Sequence, residues 1–182
     1  MELSKIIILL MSVFSFSFAN AQHVQSTYSG QESREINSLS SQEVEGYLSG
    51  HGMGFAKAAE LNHYPGPKHV LELHAKLNLS KVQIEQTQNI YEEMHKETVR
   101  LGKIFVEKER FLDDLFASQG VDPQKLQISV SGVSKVRGEI RLAHLTAHLK
   151  MKQILTAEQT SEYDKLRGYA DGHSKHEYHG QH

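Results

Sequence analysis

The chain has 182 residues, with 20 Lys and Arg against 22 Asp and Glu and a formal charge of -2. That suits one domain with a modest core and argues against a nucleic-acid binder, which would show a basic stripe. The absence of Cys excludes disulfide scaffolds, thiol nucleophiles and Cys-type zinc sites, whereas 12 His make histidine, the commonest metal ligand, the compositional outlier. With only 3 Pro in the chain, long helices are expected.

Residues 1–21 read as a secretory signal. Lys5 gives a positive start, Ile6 to Phe18 is an apolar run, and Ala19-Asn20-Ala21 is a small-x-small cleavage site. The run is shorter than the roughly 20 residues that span a bilayer. Residues 22–50 are rich in Ser, Gln and Glu and read as a flexible leader. A helical domain is expected over 51–170, followed by a His-rich tail over 171–182. Within the domain a short apolar segment, Phe55 to Leu61, precedes the break Tyr64-Pro65-Gly66-Pro67. Pro67 suits the first turn of a helix reaching about Leu77.

Ser80 with Gln83 forms a capping box that opens a second helix. Nothing but Gly102 interrupts it before Gly120, so it would run roughly 38 residues, or about 57 Å. Asp122 and Pro123 open a third helix to about Ile154. Thr156 with Gln159 starts a last one to about Tyr169. Imperfect heptad-like seams step by three and four along the second helix (Tyr91, Met94, Thr98, Leu101, Phe105) and the third (Val133, Arg137, Ile140, His144, Ala147, Met151). The fold expected is all-α: a long antiparallel helical hairpin with two short flanking helices. Its aliphatic content is thin for so elongated a monomer, so a homodimer that buries a second face is expected.

Leu79-Ser80-Lys81-Val82-Gln83 and Leu155-Thr156-Ala157-Glu158-Gln159 share one pattern at two helix starts. That pair, on an exported Cys-free helical chain, resembles the Spy/CpxP family of periplasmic stress proteins with the LTxxQ signature. Gly52-Met53-Gly54, the stretch from Tyr64 to Leu73 and the stretch from Tyr163 to Tyr169 look especially like its heavy-metal-resistance and metal-sensor branch. The resemblance implies a periplasmic helical hairpin, often dimeric, with divalent metal binding in some members and ATP-independent chaperone activity in others. Unfolded envelope proteins or a membrane signalling protein would be the partners. The sensor branch carries a His-x-x-x-His pair before the first such turn. Here His74 matches its second position but Val70 occupies the first, and His69 lies about 140° away from His74 around a helix. Met151 falls where that branch places a Met ligand, while Ala147 stands where it has a His, with His148 one position on.

Independently of any family, His144 and His148 are four apart on the third helix, so both rings leave one face at a spacing that suits one ion. Setting Leu115 opposite Leu126 fixes a register in which His144 faces Glu97 and Thr98, and His148 faces Glu92 and Glu93. His95 is within a turn of both levels. An ordinary pair, one ring hydrogen-bonded at the seam and one solvated, fits the spacing equally well. Met151 could add a thioether, although core packing is its plainer role. His173, His176, His179 and His182 recur every third residue in the tail, and several imidazoles there could wrap a borderline cation such as Zn, Ni, Co or Cu. No Gly-x-Ser-x-Gly elbow, phosphate loop or His-Glu-x-x-His motif is present, and no enzyme is expected. The leading expectation is a non-enzymatic metal-binding protein of heavy-metal resistance or sensing. The rival is a chaperone that holds clients on a mixed apolar and charged face.

Overall fold

The computed structural model describes residues 26–169. The expected export signal and His-rich tail lie outside them. Six α-helices follow in order: α1 (Ser41–Leu48), α2 (Lys57–Glu60), α3 (Pro67–Glu72), α4 (Lys81–Ala117), α5 (Pro123–Ile154) and α6 (Ala157–Leu166). Among the described residues no helix is long and apolar enough to cross a membrane.

The hairpin is made by α4 and α5. Ser80 caps α4 through its side chain, which accepts from the Gln83 N–H, while the Gln83 carboxamide accepts from the Ser80 N–H. At the far end Gly120 N–H bonds the Leu115 carbonyl and Gln119 N–H bonds that of Phe116. This pattern closes a helix through one left-handed residue. That residue is Gln119, at φ 54°, rather than the glycine beside it. Asp122 then caps α5 by accepting from Lys125 N–H at 2.8 Å, with Pro123 in the first turn. The returning helix runs antiparallel, and Lys150 reaches Glu93 across the pair at 2.7 Å.

Two apolar clusters hold the shorter elements against this hairpin. The first joins Ile36, Leu39 and Tyr47 to Leu101, Phe105, Val106, Val136 and Ile140. The second, at the open end, gathers Val70 and Leu77 with Ile90, Ala147, Met151, Leu155 and Tyr163. Residues 26–50 therefore differ from the expected flexible leader. Ile36 and Leu39 are buried, Ser40 and Glu43 form a capping box, and α1 lies on α4 at Gly102. A methyl group on Gly102 would collide with the Tyr47 carbonyl, so only glycine admits this crossing. Few apolar residues suffice because each one, from Ile36 to Tyr47, faces the hairpin. α3 is also shorter than expected. It stops at Glu72 and continues to Leu79 as turns that include Asn78 at φ 49°. Beyond Phe105 the seam thins: Phe111, Phe116, Ile128 and Val130 are exposed at the hairpin tip.

Candidate metal centre

His144 sits on α5 between the two apolar clusters and His148 at the edge of the second, and both are buried, 3% and 7% exposed. A cavity of about 640 Å³ opens beside them, bounded by the α1–α2 segment, α3, the middle of α4 and the end of α6. Of the seven described histidines, five line it: His51, His69, His95, His144 and His148.

Each ring is positioned by its surroundings. His148 Nδ1 lies 2.7 Å from the Tyr64 carbonyl. A carbonyl only accepts, so Nδ1 carries a proton, and it is Nε2 that has the lone pair to offer in the Nδ1–H tautomer. That nitrogen faces Gly66, where an added Cβ would stand 3.1 Å from Nε2 and 3.0 Å from Cε1. The glycine thus leaves open the space in front of the lone pair. The His144 ring stacks on Phe55, with centroids 6.0 Å apart and planes 9° from parallel. Its Nε2 is buried without a hydrogen-bond partner among the described residues. Burial pushes the His144 pKa down to about 4, helped by the nearby His148 and opposed by the His51 backbone. His144 is therefore neutral through the physiological range, the form in which imidazole ligates.

The carboxylate of the cavity is Glu60, from α2. Its Oε1 accepts from Tyr163 Oη at 2.5 Å and from Tyr169 Oη at 3.2 Å, and Arg167 Nε lies 3.4 Å away. Its Oε2 is 3.7 Å from His148 Nδ1, too far for a hydrogen bond. Burial and the bond to Glu60 push the Tyr163 hydroxyl far above its ordinary pKa, so Tyr163 stays a donor that orients the carboxylate. His51 reaches the cavity because α1 ends in a left-handed Gly50, at φ 64°, with His51 N–H closing onto the Gly46 carbonyl. His95, from α4, also lines the cavity and stacks on Tyr91.

The other expected site residues lie elsewhere. Glu92 is exposed and accepts from the Gln88 amide. Glu93 is held by Lys150 and Glu97 by Arg100. These acids stand at the expected level of the hairpin but on another side of α4, where their charge stays hydrated, and Glu93 and Glu97 line a separate groove. Met151 is fully buried in the open-end cluster. His74 is exposed, with Nδ1 on the Leu71 carbonyl at 2.8 Å. His173, His176, His179 and His182 are outside the described residues. Among the described residues, no three of His, Asp and Glu converge tightly enough to enclose an ion.

Sequence reasoning missed Glu60, whose only signal was its place as the one acid in the apolar stretch Phe55 to Leu61. His51, in the stretch Gly50 to Gly54, is a second lining residue that the expected site did not include. No family model, curated protein or solved structure matches the chain.

Proposed function

We propose that this chain is a non-enzymatic, periplasmic metal-binding protein that takes up a divalent transition metal (Zn, Ni, Co or Cu) in the cavity beside His144 and His148, in heavy-metal resistance or sensing. The observation that carries the reading is the gathering of five histidines and one oriented carboxylate on a single cavity. His144 and His148 would be the principal ligands through Nε2. The buried, unpartnered nitrogen of one and the glycine-cleared nitrogen of the other fit that role. A backbone carbonyl on the far nitrogen of a ligating histidine fixes its tautomer, and His148 has that support from Tyr64. Borderline cations suit imidazole with one carboxylate. Export would follow from the signal-like residues 1–21. Exposed Leu142 and Leu149 on α5 and Phe111 and Phe116 on α4 give a homodimer apolar surface to bury.

Isothermal titration of the untagged protein with each metal is the test. His144→Ala/His148→Ala should weaken the first equivalent at least tenfold, while His74→Ala leaves it unchanged. Equal affinity in the double variant and the parent overturns the reading.

One observation favours the chaperone reading instead. A groove of about 450 Å³ between α4 and α5 mixes Ile90, Met94 and Leu142 with Glu93, Arg100 and Lys150. Strong suppression of client aggregation in chelator, with negligible metal binding, would decide for that reading.

A further inference from the structure

We infer that the metal occupies the His144–His148 cavity as an anionic chelate, carried by a small polycarboxylate whose spare carboxylates face Lys57 and Lys68. The inference rests on the metal-binding reading above and adds the chemical class of what accompanies the ion. His144 and His148 offer two nitrogens, one of them buried without a hydrogen-bond partner among the described residues. A four-coordinate ion needs two more donors. Glu60 supplies at most one, because its Oε1 already takes the Tyr163 and Tyr169 hydroxyls, with Arg167 Nε 3.4 Å away. Among the described residues no three of His, Asp and Glu converge to enclose an ion. The cavity is also far larger than an ion needs: it holds about 640 Å³, where one water takes roughly 30 Å³. A multidentate organic ligand fills both the missing coordination positions and that space.

Charge gives the sign of the chelate. Lys57, Lys68 and Arg167 line the cavity against one carboxylate, Glu60. Arg167 is matched to Glu60. Lys57 and Lys68 make no ion pair among the described residues, and Glu72, close enough to Lys68 to feel its charge, is held by His69 at 2.8 Å. A bare dication meets this surplus as repulsion. A chelate that brings its own carboxylates reverses the sign: its metal meets the two imidazoles and its negative edge meets the two lysines. Its carbon skeleton finds Tyr91, Met94 and Pro67 on the walls.

The test is equilibrium dialysis of the full untagged chain with Ni and radiolabelled citrate, together and apart, with free Ni matched between the arms. The parent should retain citrate only when Ni is present, at about one citrate per Ni, and should hold Ni at least fivefold more tightly with citrate than without. Lys57→Gln/Lys68→Gln should lose at least fivefold in affinity for the Ni–citrate complex. The same variant should hold bare Ni no more weakly than the parent, because removing two cations eases the entry of a third. If citrate leaves the affinity for free Ni unchanged or is not retained, or if the lysine variant binds the complex as the parent does, the chelate is wrong and a bare-ion site stands. If citrate is retained equally without Ni, the lysines serve an anion alone and the chelate is again wrong. If His144→Ala/His148→Ala retains bare Ni as the parent does, the cavity reading itself fails and takes the chelate with it.

Discussion

The carboxamides of Gln83 and Gln159 are paired face to face: Gln83 Nε2 donates to Gln159 Oε1 at 2.8 Å, and Gln159 Nε2 donates to Gln83 Oε1 at 3.2 Å. Each also completes its own helix cap, on Ser80 N–H and Thr156 N–H. Each then reaches a carbonyl of the opposite segment, Gln83 to Ile154 and Gln159 to Leu77. The two Leu-Ser/Thr-x-x-Gln repeats are thus more than separate start signals for helices. They are halves of one clasp across the open end of the hairpin.

Breaking this clasp should be felt on both sides. Gln159→Ala removes a cap, leaves the half-buried Leu77 carbonyl bond unmade and unpairs Gln83. A loss of about 1–3 kcal/mol is expected in urea unfolding. Because the residues share partners, Gln83→Ala and Gln159→Ala should be non-additive by about 0.5–3 kcal/mol in a double-mutant cycle. Strict additivity would show that the two caps act separately.

Two glycines should respond in opposite directions. Gly102→Ala drives a methyl into the Tyr47 carbonyl, so α1 must lift from α4. A loss of about 1–3 kcal/mol or more is expected, with a changed tyrosine near-UV signal. Gly138 lies exposed inside α5, and a Cβ there meets nothing within 4 Å. Gly138→Ala should stabilise by about 0.5–1 kcal/mol, because alanine loses less backbone entropy in a helix. Thermal melts of the two variants beside the parent decide both.

Acid should weaken the fold through His144. In the unfolded chain its ring takes a proton near the ordinary 6.5, and in the folded protein only near 4. Between those values the unfolded state binds more protons, so stability is present above about pH 6.5 and falls as the pH drops towards 4. The contribution at the bottom of that window is on the order of 3 kcal/mol. His144→Leu should flatten the stability-against-pH curve over that window relative to the parent, and urea midpoints from pH 7.5 to 4.5 measure it. Parallel curves for parent and variant would place the acid sensitivity elsewhere.

Gly66→Ala offers a lighter probe of the cavity than removing an imidazole. The backbone at Gly66, φ -87° and ψ 140°, suits alanine, yet the methyl would stand 3.1 Å from His148 Nε2. The fold should persist while metal affinity falls at least tenfold in the same titration. Unchanged affinity would move the ion away from that nitrogen.

The long elements were legible in the sequence because their limits are set locally. Ser80 with Gln83, Asp122 with Pro123, and Thr156 with Gln159 each satisfy backbone groups within one turn, so both ends of the hairpin and the start of α6 follow from adjacent residues. α1 was hidden for the opposite reason. Ile36, Leu39 and Tyr47 are sparse in a polar stretch, and only the bare backbone at Gly102, about 55 residues downstream by sequence, lets them pack. The pairing level of His144 and His148 could be read from the register, but the side of α4 they meet could not. Successive residues turn by about 100°, so a site at the right height still found Glu60 of α2 instead of Glu92 or Glu93. Glu60 in turn is aimed by Tyr163 and Tyr169, more than a hundred residues away in the chain.

On α5 the two apolar clusters part between Ile140 and Ala147, the interval that carries buried His144, with buried His148 one residue beyond it. A polar interval adds less apolar cohesion than the clusters on either side, so the end bearing α1 is expected to open at lower cost than the end bearing α6. An occupant that gripped both rings would weld the two ends. Hydrogen exchange would then report one cooperative unfolding unit in place of two.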